Sequence, residues 1–185
     1  MLIAITREVG DAMAGEDELT RLRRGDSEAF GAVIARYQHR LYRYLVRLVR
    51  DSAVAEDLFQ QTWLRVFEKR KSLDPVRRFD TWLFAVAHNV AIDHLRRSRT
   101  ENLDDAGDPP ARGPDPFVQA AARECVEAVA LLPAACREVI TLRFEEDMKL
   151  EEIAAVRGEP LSTVKSRLQR GMARLQKMLV KGGPR

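Results

Sequence analysis

The chain of 185 residues has room for one domain or two small ones, and its 45% hydrophobic and 32% charged residues describe a soluble, helix-rich protein. Its net charge of +3 conceals a segregation: −4 over residues 1–20, +8 over 21–99, −4 over 100–116, −4 over 117–156 and +7 over 157–185. No apolar run approaches the ~18 residues of a membrane span, the opening MLIAITREVG lacks a basic leader and a cleavage site, and Cys125 and Cys136 have neither CxxC spacing nor a nearby His pair. A cytoplasmic protein with buried thiols is expected, without a metal or cofactor. Two basic segments divided by an acidic one suggest two contacts with nucleic acid.

Residues 1–15 show no sustained periodicity and are expected to form a poorly ordered extension. A helical domain is expected over 16–99. Asp26, following Gly25, can cap a helix whose apolar positions Phe30, Val33, Ile34, Tyr37, Leu41, Tyr44, Leu45 and Leu48 recur at steps of three and four. The tripeptide RDS ends it near Arg50, and AVAEDLFQQTWLRVFEKRK predicts a second helix. Pro75 stops that run, and a basic loop, VRRF, leads into a third helix capped by Asp80 or Thr81. This helix, FDTWLFAVAHNVAIDHLRRSR, combines an apolar side (Leu83, Val86, Ala87, Val90) with a basic end. Such a division fits a helix with a core on one side and a polyanion on the other.

Residues 100–116, TENLDDAGDPPARGPDP, hold four prolines and five acids and read as a flexible acidic linker. Its 17 residues span at most ~56–61 Å when extended. A second helical domain is expected over 117–181, with helices at 117–131, 134–144, 149–156 and 161–179. The fold class is therefore all-α, two small helical domains on a tether, with no strand expected.

The stretch LEEIAAVRGEPLSTVKSRLQRGMARLQK meets the requirements of a helix-turn-helix. Ala154 permits close crossing, Gly158 permits the left-handed turn, and Val164 can pin the second helix onto the first. Pro160 cannot sit inside a helix, and Ser162 or Thr163 can cap the one that follows. That helix would present Ser162, Thr163, Lys165, Ser166, Arg167 and Arg170 to a major groove.

LPAACREVITLRFEEDMKLEEIAAVRGEPLSTVKSRLQRGMARLQKML resembles the −35-reading domain of bacterial RNA polymerase sigma factors of the extracytoplasmic-function (ECF) group. RRGDSEAFGAVIARYQHRLYRY, AEDLFQQTWLRVFEKR and FDTWLFAVAHNVAIDHLRR resemble the first domain of the same group. The resemblance implies a non-enzymatic subunit that binds core RNA polymerase at the β′ clamp and β flap, reads −10 and −35 promoter elements and helps melt the promoter. It also implies an anti-sigma partner, no small-molecule substrate, and a monomer when free of partners. It assigns Asp57, Gln60, Gln61 and Leu64 to the clamp. These positions share one helical face, suited to a basic partner helix. It assigns Arg77, Arg78, Phe79, Asp80, His88, Asn89, Arg96 and Arg97 to −10 DNA, where Asn89 can offer a base edge both a donor and an acceptor. Arg96, Arg97 and Arg99 would hold phosphates, and the residues from Arg77 to Asp80 would line a pocket for a flipped base. The chain departs from the family pattern at Gln61 (usually a carboxylate), at a loop without glycine, and at His88 (commonly Arg). It also departs at Asp147, Lys149 and Glu159, where a turn glycine, a Ser cap and an apolar residue are usual.

Two other classes of function compete. A DNA-binding regulator acting without polymerase would explain the helix-turn-helix but not the AEDLFQQ face. A metal phosphohydrolase built on His88, Asp93 and His94 lacks the further carboxylates a two-metal site needs.

Overall fold

The computed structural model describes residues 16–73, 78–101 and 120–181, all helical or in the turns between helices. The expected extension 1–15 and the linker from residue 102 onward lie outside the described residues. Helix α1 (Glu16–Arg24), which no periodicity announced, buries Leu22 completely. Gly25 then turns at φ 88°, and the Asp26 carboxylate accepts the amides of Glu28 and Ala29 at 2.9 and 3.1 Å. Two otherwise orphaned donors of α2 (Ser27–Val49) are thereby satisfied. Its inward face carries Val33, Tyr37, Leu41, Tyr44, Leu45 and Leu48. The RDS break is a left-handed Arg50 (φ 60°) followed by Asp51, which caps α3 (Ser52–Lys69) by accepting from Ala53 and Val54. A single 3₁₀ turn (Arg70–Ser72) closes α3.

Helix α4 (Phe79–Glu101) buries Leu83, Phe84, Val86, Ala87, Val90 and Ala91. The expected cap at Asp80 or Thr81 is corrected, since both residues lie within the helix. Asp80 is instead buried, its carboxylate taken by Tyr37 of α2 at 2.6 Å and Arg40 at 3.3 Å.

The second half contains α5 (Ala120–Ala130), α6 (Ala134–Phe144), α7 (Leu150–Arg157) and α8 (Leu161–Lys181). Asp147 holds the turn after α6 at φ 51°, the conformation that would favour a glycine. Lys149 makes no side-chain cap, but its amide donates to the Glu152 carboxylate at 2.7 Å. Gly158 ends α7 in the left-handed region, at φ 62°. The expected cap at Ser162 or Thr163 is also corrected. The Pro160 carbonyl accepts the amides of Thr163 and Val164, so α8 starts at Leu161 and both hydroxyl residues fall in its first turn.

The two helical halves pack against each other. Helix α7 lies on α4, and α6 lies on α2. Val139, Leu142, Met148, Ile153, Val156 and Val164 therefore enter the same apolar core as Tyr44, Leu83, Phe84 and Ala87. A smaller cluster of Ala128, Val129, Leu132, Ile140 and Leu175 ties α5 and α6 to α8.

The glycines give opposite expectations. Gly158→Ala should cost about 1–2 kcal/mol, because a Cβ is strained in the left-handed region. Gly31→Ala, at an exposed position of α2 with open space around it, should stabilise by about 0.5–1 kcal/mol. Urea unfolding midpoints of the two variants should move in opposite directions from the parent.

Candidate nucleic-acid interface

Three surfaces hold the residues singled out from the sequence. On α3, Asp57, Gln60, Gln61 and Leu64 are all exposed along one face, Leu64 to 65%. Phe67, one step further along, is also exposed, with the Arg70 guanidinium 4.1 Å from its ring centroid. Phe67 was missed in the sequence, although its spacing of three from Leu64 places it on this face.

On α4 the selected residues divide. Asn89, Arg96 and Arg97 are exposed on the side opposite the core. Arg96 pairs with Asp93 at 3.2 Å, and Arg97 donates to the Asp93 carbonyl. Phe79 is buried instead, with its ring against Tyr37 and Trp82 at centroid distances of 5.2 and 5.9 Å. Asp80 is buried as described, and Arg78 bridges to Glu152 of α7 at 3.2 Å. Arg77 lies outside the described residues, as does the side chain of Arg99.

His88 differs most from its expected place facing DNA. It is 7% exposed, with Nδ1 2.6 Å from Glu138 Oε1 on α6. Tyr44 of α2 donates to the same oxygen at 2.7 Å, and Arg157 of α7 donates to Glu138 Oε2. One buried carboxylate thus gathers side chains from α2, α4 and α7. Arg157 neutralises its charge, so His88 is best satisfied as a neutral ring donating through Nδ1–H. Burial first, and then the positive charge of Arg157, push the His88 pKa down to about 4. Burial likewise drives the Tyr44 hydroxyl well above its ordinary value. Around this centre, Arg40 pairs with Glu146 at 2.8 Å and Arg47 with Glu145 at 2.8 Å, both across the two halves. Burial raises the Glu146 carboxyl to about 7 against the opposing effect of Arg40.

On α8, Ser162, Lys165, Ser166 and Arg170 are exposed, whereas Thr163 and Arg167 are half-buried. Arg170 donates to the Ser166 carbonyl at 3.3 Å. Arg167 pairs with Glu159, which also receives Arg157 at 3.1 and 3.2 Å. Burial pushes the Glu159 carboxyl up, but Arg167 and Arg157 outweigh it and hold the group at about 2. Val164 and Gly171 face inward, where a Cβ on Gly171 would lie 2.6 Å from Ile140 Cδ1 of α6. Such close approach fixes which side of α8 faces outward. Among the described residues no group of three His, Cys, Asp or Glu side chains can hold a metal, and no helix is long and apolar enough to cross a membrane.

The Sigma-70 region 2 family matches residues 33–101, and the Sigma-70, region 4 family matches residues 123–175. RNA polymerase sigma factor CarQ of Myxococcus xanthus is 34% identical over 165 residues, covering 87% of this chain and 95% of its own. ECF RNA polymerase sigma factor SigW of Bacillus subtilis is 28% identical over 176 residues, 87% of this chain and 94% of its own. Among solved structures, the sigma factor RpoE in complex with the anti-sigma factor NepR, from Bartonella quintana, superposes with a TM-score of 0.72. It is 26% identical and covers 84% of this chain and 98% of that one.

The buried groups imply opposing pH dependences. His88 has a folded pKa of about 4, below the ordinary value of about 6.5. Its contribution is therefore complete above pH 6.5 and lost as pH falls towards 4. Glu146 has a raised folded value of about 7. Its contribution is lost as pH rises from about 4.5 to 7. In thermal unfolding across pH 4–8, His88→Gln should flatten the acid-side loss, and Glu146→Gln should flatten the loss on the way to pH 7. Slopes identical to the parent in both variants would contradict the assignment.

Proposed function

Because the chain belongs to the extracytoplasmic-function group of RNA polymerase sigma factors, we propose how its own residues divide the work of promoter recognition. It is a promoter-recognising subunit, and in this reading it acts by binding alone, with no catalytic step of its own. Residues 16–99 form the −10 and polymerase-binding domain, and 117–181 the −35 domain. Asp57, Gln60, Gln61 and Leu64, extended by Phe67, dock on the β′ clamp of core polymerase. Asn89 reads a −10 base edge, while Arg96 and Arg97 hold phosphates. Ser162, Thr163, Lys165, Ser166, Arg167 and Arg170 meet the −35 element through the first half of α8. The solved relative's complex with an anti-sigma factor supports a protein inhibitor of the same kind for this chain.

The observation that carries this reading over a stand-alone DNA-binding regulator is the α3 face. Its apolar Leu64 and Phe67 face solvent amid polar neighbours, as a protein-docking surface does. DNA binding alone gives such a face no role.

The packing of the two halves adds a condition. His88 is buried against Glu138 of α6 while α6 and α7 cover α2 and α4, whereas Phe79 and Asp80 are held by Tyr37 and Arg40 of α2. The full length of α4 can meet promoter DNA only when the halves part. The exposed side chains of Asn89, Arg96 and Arg97 are accessible in either arrangement.

Size-exclusion co-elution with core bacterial polymerase tests the assignment. The double variant Asp57→Ala/Gln60→Ala should weaken binding about tenfold or more while leaving far-ultraviolet circular dichroism unchanged; unaltered co-elution would remove these residues from the clamp contact. Asn89→Ala should relax preference at one −10 position by about 1–3 kcal/mol. An equal loss on every promoter would instead make Asn89 structural.

A further inference from the structure

Glu159 stands just before the recognition helix, at a position where the family pattern has an apolar residue. Its surroundings give it a different role. It follows the left-handed Gly158, and its own amide donates to the Ala154 carbonyl at 3.1 Å, so the backbone beneath it is held by the turn. Both carboxylate oxygens lie on Arg157, Oε2 to Nε at 3.1 Å and Oε1 to Nη2 at 3.2 Å. Arg157 is itself anchored, through Nη1, on the buried Glu138. Its side chain is only 6% exposed, so this arginine is an internal strut and does not reach DNA. Glu159 Oε2 then takes Arg167 Nη1 from the first half of α8.

The chain Glu138–Arg157–Glu159–Arg167 alternates in charge and runs from the buried centre to the recognition helix. An unrestrained arginine samples many rotamers, and ordering them on binding costs affinity and blurs selectivity. Here the Nη1 corner is occupied by Glu159, and among the described residues the Nε–Nη2 edge is left for a second planar acceptor pair. In a major groove the acceptor pair matched to that edge is O6 and N7 of guanine.

We infer that Glu159 is a positioning residue, which orients Arg167 so that its remaining edge selects guanine at one position of the −35 element. This inference rests on the reading of α8 as the −35 helix. The carboxylate trades affinity for selectivity, because it brings a negative charge near the phosphates while fixing the arginine that reads a base.

The test uses holoenzyme assembled from core polymerase and the full chain, with promoters carrying each base at every −35 position. Discrimination is the ratio of affinities between bases within one variant, so it does not depend on how much holoenzyme is active. The parent should prefer guanine at one position, and Arg167→Ala should abolish that preference. Glu159→Gln, equal in shape but uncharged, should reduce the preference at the same position about tenfold, with affinity for the other three bases unchanged or raised. A uniform rise for all four bases would make Glu159 a mere source of repulsion and overturn the inference. So would full discrimination in Glu159→Gln. Absence of any −35 preference in the parent would defeat the reading of α8 itself, and the inference with it.

Discussion

The arrangement of the whole molecule turns on the Glu138 carboxylate. A buried carboxylate is tolerable only when its charge is compensated and its lone pairs are filled. Tyr44, His88 and Arg157 meet that demand from α2, α4 and α7, respectively. No subset from one half of the chain suffices: Tyr44 and His88 supply hydrogen bonds but no positive charge, and Arg157 leaves one oxygen without a donor. The apolar contact between the halves is not directional, since Val139, Leu142 and Ile153 could slide on Leu83 and Phe84 at little cost. The carboxylate gives that contact a single register. Replacing one partner of such a group is costly chiefly because the other is left buried and unpaired.

Two departures from the family pattern find their physical reason in this centre. An arginine at position 88 would put a second guanidinium beside Arg157 on one carboxylate, where the imidazole of His88 adds a donor without a charge. Glu159, which replaces a usually apolar turn residue, neutralises the side of Arg157 that Glu138 does not reach, and captures Arg167 as well. Asp147 at φ 51° shows a third departure handled locally. An acidic residue bears the left-handed conformation better than most and pairs loosely with Arg143 at 3.7 Å.

Much of the fold was legible because it is encoded within a few residues. Asp26 and Asp51 stand just before their helices, Gly158 stands at a turn that needs its φ, and α2 shows its apolar stripe at steps of three and four. Helix α1 was not legible, since nine residues with Leu19 and Leu22 inward are too few to establish a period. Asp80 misled because cap chemistry and long-range ion pairing use the same side chain, and here Tyr37 and Arg40 claimed it. Tyr44 and Glu138 are 94 residues apart in sequence, and nothing local to either announces the other. For the same reason the exposed candidates on α3 and α8 could be selected by helical spacing, whereas the burial of Phe79 and His88 depended on a partner surface not visible from α4.

The charge segregation of the sequence also acquires a second meaning. The basic segments 21–99 and 157–185, divided by acidic ones, suggested two contacts with nucleic acid. Arg40, Arg47 and Arg78 from the first basic segment are paired with Glu146, Glu145 and Glu152 from the acidic segment 117–156. Part of the basic field is thus spent within the molecule while the halves are together. In the proposed reading, parting them takes Glu145, Glu146 and Glu152 away from the surface around α2 and the start of α4 and raises its positive potential. Because exposed charges act over about a Debye length, ~8–10 Å at physiological salt, the gain falls on the neighbourhood of those arginines. In the proposed reading, opening does two things by one movement: it uncovers His88, whose partner Glu138 lies on α6, and it releases Arg40, Arg47 and Arg78 from the carboxylates of the other half.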